Sequence, residues 1–158
     1  MKLPTVASMH ETVGAVLSRC ATIIIEDWLV RAKKITEISA LRLRDAERTG
    51  HIPKLLDDLV VRLKARTPMN AVPSASAVSH GELRYLQGYT PPMLVDEARI
   101  LEITLFETLH KNQSALDFRF LLSDVAIIAD EVDSQLAQSV NRCMKVMRLS
   151  AGKMPAVS

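Results

Sequence analysis

The sequence predicts an all-α fold, a single helical bundle of about five to six helices closed by a long C-terminal helix. Three observations carry this prediction. Apolar residues recur at three- and four-residue steps in several stretches, and no stretch sustains the apolar/polar alternation of a strand. Aromatic residues, which favour sheets, make up only 4% of the chain, and glycine occurs only 5 times. With 158 residues, 48% of them hydrophobic, the chain can bury one real core, and disorder is not expected.

Residues 1–10 read as a flexible N-terminus, 11–148 as the helical domain and 149–158 as a flexible tail. The first helix runs from about Glu11 to Lys34, with Val13, Val16, Leu17, Cys20, Ile24, Trp28 and Leu29 as a broad apolar face and Trp28 as its core anchor. A second, from Glu37 to Arg48, carries Ile38, Leu41 and alternating charges, and Gly50 suits its stop. Pro53 fits the first turn of a third helix, whose stripe is Leu55, Leu56, Leu59, Val60 and Leu63 and which Thr67-Pro68 ends. Pro68 to Ser79 reads as the one substantial loop, a connection rather than a domain boundary, because neither half alone has enough helices to close a core. A short helix around Val78 to Gln87 stops at Gly88, and Thr90-Pro91 caps the next, Pro91 to Lys111, with Leu94, Ala98, Leu101, Leu105 and Leu109 on one face.

The last helix is expected from near Ser114 to Arg148, with Ser114 and Asp117 in capping-box spacing. Phe118, Leu121, Val125, Ile128 and Val132 keep heptad spacing, and Leu136, Val140, Cys143 and Met147 continue it after a four-residue shift, as in a coiled-coil stutter. Such a helix spans roughly 50 Å at 1.5 Å per residue, more than a compact domain needs, so its end is expected to project or to pair with a second copy as a homodimer.

Lys+Arg 20 against Asp+Glu 18 gives a formal charge of +2, too balanced to draw the chain to nucleic acid or to an anionic membrane. No apolar run approaches the length of a bilayer span, and the amino terminus lacks the apolar core of a signal peptide, so a cytoplasmic location is expected. Cys20 and Cys143 sit in apolar helical patterns without zinc-site spacing, and read as buried free thiols.

Glycine loops that cradle phosphate, paired zinc histidines and nucleophile elbows are all missing, so neither a complete catalytic centre nor a cofactor is expected. The informative segment is Ser79 to Tyr89. On a helix His80 and Arg84 share a face, with Gln87 just beyond, and Gly81, costing about 1 kcal/mol against alanine, suggests a close backbone approach. The residues fit a small polar pocket for an anion or signal, or, as the plainer reading, a histidine in a polar core network. As a phosphoacceptor box, the runner-up reading, Ser79-His80-Gly81-Glu82-Leu83-Arg84 carries one inserted residue, which turns the acid away from the histidine by about 100°. A third reading is a globin-like fold with His51, His80 or His110 on haem; three phenylalanines offer little lining for one, leaving a globin-like arrangement without haem as the alternative architecture. Asp124, Asp130, Glu131 and Asp133 read as a solvated face, since the histidine partners of a di-metal carboxylate site are missing.

The run Ser79-His80-Gly81-Glu82-Leu83-Arg84-Tyr85-Leu86-Gln87-Gly88-Tyr89, then Leu94-Val95-Asp96-Glu97-Ala98-Arg99-Ile100-Leu101-Glu102, resembles the amino-terminal helical domain shared by RsbR/RsbRD-type co-antagonists and some bacterial sensor histidine kinases. The earlier Leu43-Arg44-Asp45-Ala46-Glu47 and Leu55-Leu56-Asp57-Asp58-Leu59 fit its second and third helices, so the likeness runs from about Ala15 to Met147. The resemblance implies a non-catalytic input domain that senses or scaffolds ahead of a STAS or kinase output module. Matched position by position, it singles out His80, Gly81, Arg84, Gly88 and Glu97, without establishing a ligand.

Overall fold

In the computed structural model, which describes residues 10–66 and 73–153, the helical segments begin where the Thr12 hydroxyl accepts a hydrogen bond from the Ala15 amide. Helix α1 (Val13–Arg19) passes into α2 (Ala21–Ala32) through a bend at Cys20, across which the backbone bonds continue from Cys20 to Val16 and from Ile24 to Cys20. The first expected helix is therefore nearly continuous. The second is not: it divides into α3 (Thr36–Ala40) and α4 (Asp45–Thr49), separated by an extended stretch. The buried Arg48 accounts for the division, since its guanidinium donates to the carbonyls of Ile38, Leu41 and Leu43. A charged side chain here satisfies acceptors that a continuous helix would have paired internally.

Helix α5 (Ile52–Ala65) carries Pro53 in its first turn and ends on Arg66 in the left-handed region, at φ +49°. The expected stop at Thr67-Pro68 lies outside the described residues. Helix α6 (Ala75–Leu86) starts three residues earlier than its sequence pattern predicts, because the Ser74 hydroxyl accepts from the Ala77 amide and moves the cap upstream. It closes on Gly88, φ +89°, where the Gly88 amide bonds to the Tyr85 carbonyl and the Tyr89 amide to that of Arg84, the paired bonds of a Schellman turn. Helix α7 (Pro91–Lys111) has the predicted limits.

The start of the last helix needs correction. Single 3-10 turns occupy Gln113–Ala115 and Phe118–Phe120, α8 runs from Leu121 to Ala151, and the Asp117 carboxylate accepts from the Arg119 amide instead of capping a helix begun at Ser114. Glu11 pairs across this junction, its amide to the Ala115 carbonyl and its carbonyl to the Asp117 amide, which holds the chain away from helical geometry there. Phe118 is accordingly exposed and takes no part in an apolar seam. At the other end, Ser150 and Ala151 are helical, and the tail from Met154 onward lies outside the described residues, as do residues 1–9.

The architecture is an all-α bundle with a long C-terminal helix, and no strand is formed among the described residues. Its core gathers Val16, Leu17, Ile24 and Trp28 from α1 and α2, Ile38 from α3, Ile52 and Leu56 from α5, Leu105 from α7 and Ile128 from α8. Helix α8 packs chiefly on α6, and also on α7 and α5. Its buried line passes from Ile128 and Val132 to Gln135, Ser139 and Cys143, so it turns polar where α6 covers it. The acidic residues expected on a solvated face are divided: Asp124 and Glu131 are buried, and Asp130 and Glu131 both pair with the buried Arg62 of α5. Of these four only Asp133 is exposed. Cys20 and Cys143 are buried and unbridged. No helix among the described residues is long and apolar enough to cross a membrane.

Candidate functional site

Arg84 is the largest polar side chain with no exposed surface, and the site is built around it. It leaves the inner face of α6 one turn after His80, as their spacing requires, and meets Glu97 from the second turn of α7. The Schellman turn at Gly88 joins the two helices, and beyond it their side chains meet as this charge pair. Arg84 Nε donates to Glu97 Oε2 at 3.2 Å, while Nη2 lies 2.8 Å from Oε1, an ion pair off the line of an N–H bond. The other donors reach the Arg48 carbonyl at 2.5 Å, the Glu47 carbonyl at 3.3 Å, Gln87 Oε1 at 2.6 Å and His51 Nδ1 at 3.2 Å. Every nitrogen of the guanidinium is thus engaged, and it also closes the open carbonyl end of α4.

Two histidines complete the cluster. His80 Nε2 lies 3.2 Å from Glu97 Oε2, and the His80 ring stacks on His51 with centroids 3.8 Å apart and planes 16° from parallel. Because a guanidinium only donates, His51 Nδ1 must accept, so the neutral ring carries its proton on Nε2. Burial, then the neighbouring His80 and Arg84, hold the His51 pKa well below its ordinary value and keep that ring neutral. Trp28 stands edge-on to His51 and donates from Nε1 to the Glu97 carbonyl at 3.2 Å. Tyr89 lies beneath the guanidinium, 4.4 Å from ring centre to Cζ, and its phenol is raised by burial and by the Glu97 charge, so it stays protonated.

Gly81 has a different task. A Cβ placed there would fall 2.1 Å from the Ser139 carbonyl oxygen of α8, so only glycine lets the two backbones cross at this distance. The Ser139 hydroxyl in turn donates to the Ala77 carbonyl at 2.8 Å, and Arg142 of α8 pairs with Glu82 on the outer side of the crossing. No family model, curated protein or solved structure matches the chain. The site is therefore read from its own geometry.

Of the residues singled out from sequence, His80, Arg84 and Glu97 meet directly, Gly81 fixes the helix crossing beside them, and Gly88 makes the turn that joins their helices. Sequence reasoning placed Trp28 as a core anchor, as it is, but missed its hydrogen bond to Glu97, missed His51 as a member of the polar cluster, and missed the buried Arg48. A histidine just after a helix-stopping glycine and an arginine within an amphipathic stretch carry no local signal, since their partners are distant in the chain.

His51, His80 and Glu97 place possible ligand atoms within 4.8 Å of one another, which raises the question of a metal. The arrangement does not fit one. Two nearly parallel stacked rings cannot both aim an in-plane lone pair at one ion, and Arg84 already holds the carboxylate and His51 Nδ1. Arg84 is the cation of this site. Haem fares no better: the cavity bounded by Trp28, His51, His80, Glu97 and Gln135 offers only about 30 Å³, room for water, and His110 is exposed elsewhere. As a phosphoacceptor, His80 has its Nε2 against Glu97 and its Nδ1 buried, so neither nitrogen is presented to a kinase.

Proposed function

We propose that the chain is a non-catalytic input module of a bacterial signalling protein, of the kind found ahead of kinase or STAS output modules, working as a homodimer. The observation that supports this reading most is the Gly81 crossing. His80 and Arg84 flank a glycine whose backbone rests on Ser139, so the charged cluster and α8 share one rigid contact. A change in pairing at Glu97, Arg84 or the stacked histidines moves α6, and α6 cannot move without displacing α8. Beyond Cys143, the last buried residue of α8, the helix continues to Ala151 with Met144, Met147 and Leu149 exposed. That end suits an apolar contact with a second copy, through which a shift of α8 reaches an output module.

Hydrogen exchange tests the coupling. Glu97→Gln keeps the shape of the side chain and weakens the ion pair. Amides of α8 between Gln135 and Met147 should then exchange faster, while those of α1, remote from the cluster, stay unchanged. Equal protection of α8 in both proteins would defeat the reading.

A further inference from the structure

On the outer side of the histidine stack, between the first turn of α5 and the flank of α6, lies an open cleft of about 260 Å³. Its chemistry is one-sided. Lys54, the Ser76 and Ser79 hydroxyls, His51 and His80 line it, Leu83 is its one large apolar side chain, and no carboxylate does so among the described residues. The Lys54 ammonium is exposed and forms no ion pair among the described residues, unlike Arg62, Arg84 and Arg142, which all hold acids. His51 has spent its Nδ1 on Arg84, which leaves an Nε2–H donor with no described acceptor. Ala75 and Ser76 add the first turn of α6, whose dipole favours negative charge.

We propose that this cleft binds a small oxyanion, a carboxylate or a phosphomonoester, with Lys54 supplying the charge and Ser76, Ser79 and His51 Nε2 supplying hydrogen bonds. Donors without acceptors around an open cleft are matched by a ligand that accepts, and a carboxylate or phosphate is the acceptor whose charge Lys54 also pairs. The floor of the cleft is the His51–His80 stack, and behind it lie Arg84, Glu97 and the α6–α8 crossing. Binding would thus be felt where the proposed input module transmits. The inference rests on that reading only for this consequence, and not for binding itself.

The test is a titration of the whole chain, followed by amide and histidine-ring NMR, with inorganic phosphate, with succinate, and with sodium chloride at matched ionic strength. Saturable shifts around Lys54, Ser76 and Ser79 and at the His51 ring are expected from phosphate or succinate and not from chloride. Their ratio of affinities tells which oxyanion class is preferred. Lys54→Met, an exposed change that leaves the core intact, should weaken binding about tenfold, and Ser79→Ala by a smaller factor. Absence of saturation with both anions, identical shifts with chloride, or undiminished binding to Lys54→Met would each overturn the proposal. If an anion saturates the cleft while the α8 amides stay still, the site stands and the input reading fails. If α8 responds to Glu97→Gln but no anion binds, the oxyanion inference alone fails.

Discussion

At Gly81 two residue-level effects oppose each other, and their magnitudes decide the outcome. Alanine gains up to about 1 kcal/mol in helix propensity, but its Cβ would lie 2.1 Å from a backbone oxygen that no side-chain rotation can move. Gly81→Ala is expected to lower stability by about 2 kcal/mol or more in urea unfolding, and a neutral or stabilised variant would show that the helices separate easily. At Arg84 the loss is of charge balance. Arg84→Met takes the guanidinium from the buried Glu97, leaving only the His80 ring beside it, and should cost about 3–5 kcal/mol, while Arg84→Met combined with Glu97→Leu should cost clearly less than the sum of the single changes, an excess the double-mutant cycle measures directly. At His51 the prediction is one of pH. Its folded pKa lies below the unfolded value, so the neutral form stabilises the fold; that contribution is full above about pH 6.5 and is lost as pH falls below it, by up to about 1.4 kcal/mol per unit. Urea midpoints should drop between about pH 7 and pH 5.5, with a slope that His51→Gln reduces. Parallel slopes in the two proteins would refute the assignment.

Elements here are completed by side chains from elsewhere. Helices α3 and α4 are five residues each, too short to persist alone, and their carbonyl ends are held by two buried arginines, Arg48 for α3 and Arg84 for α4. Arg48→Ala should therefore remove hydrogen-exchange protection from residues 36–49 while α7 and α8 keep theirs, and uniform loss across the chain would instead mark Arg48 as a global core residue. Helix limits were legible in the sequence where caps are local. Pro91 and Gly88 punctuate as expected, and α4 stops at Gly50 though in right-handed rather than left-handed geometry, whereas the start of α8 was misplaced because Glu11, more than a hundred residues away, pairs with the segment ahead of it. The break between α3 and α4 was invisible for the same reason: the stretch from Glu37 to Arg48 has helical periodicity, and what interrupts it is the reach of Arg48 back to three carbonyls.

For the whole molecule, the distribution of burial along α8 sets the expectation. Exposed Met144, Met147 and Leu149 follow the last buried residue, Cys143, and the two turns they occupy extend roughly 12 Å beyond the packed part. Light scattering should find a dimer that Met147→Lys dissociates without lowering the unfolding midpoint of the monomer; a monomer at all concentrations, or a dimer indifferent to Met147→Lys, would dissociate α8 from assembly. By itself the sequence determined the helical class, the order of the main helices and the candidate status of His80, Gly81, Arg84, Gly88 and Glu97, because periodicity, caps and turn residues act over a few positions. Only the tertiary structure decided that His51 stacks on His80, that Arg84 stands where a metal would, that Asp130 and Glu131 face Arg62 instead of solvent, and that a glycine on α6 rests against α8. Each of these depends on charge or contact between residues distant in the chain, and the free energy of such pairing is set by burial, which a local pattern does not encode.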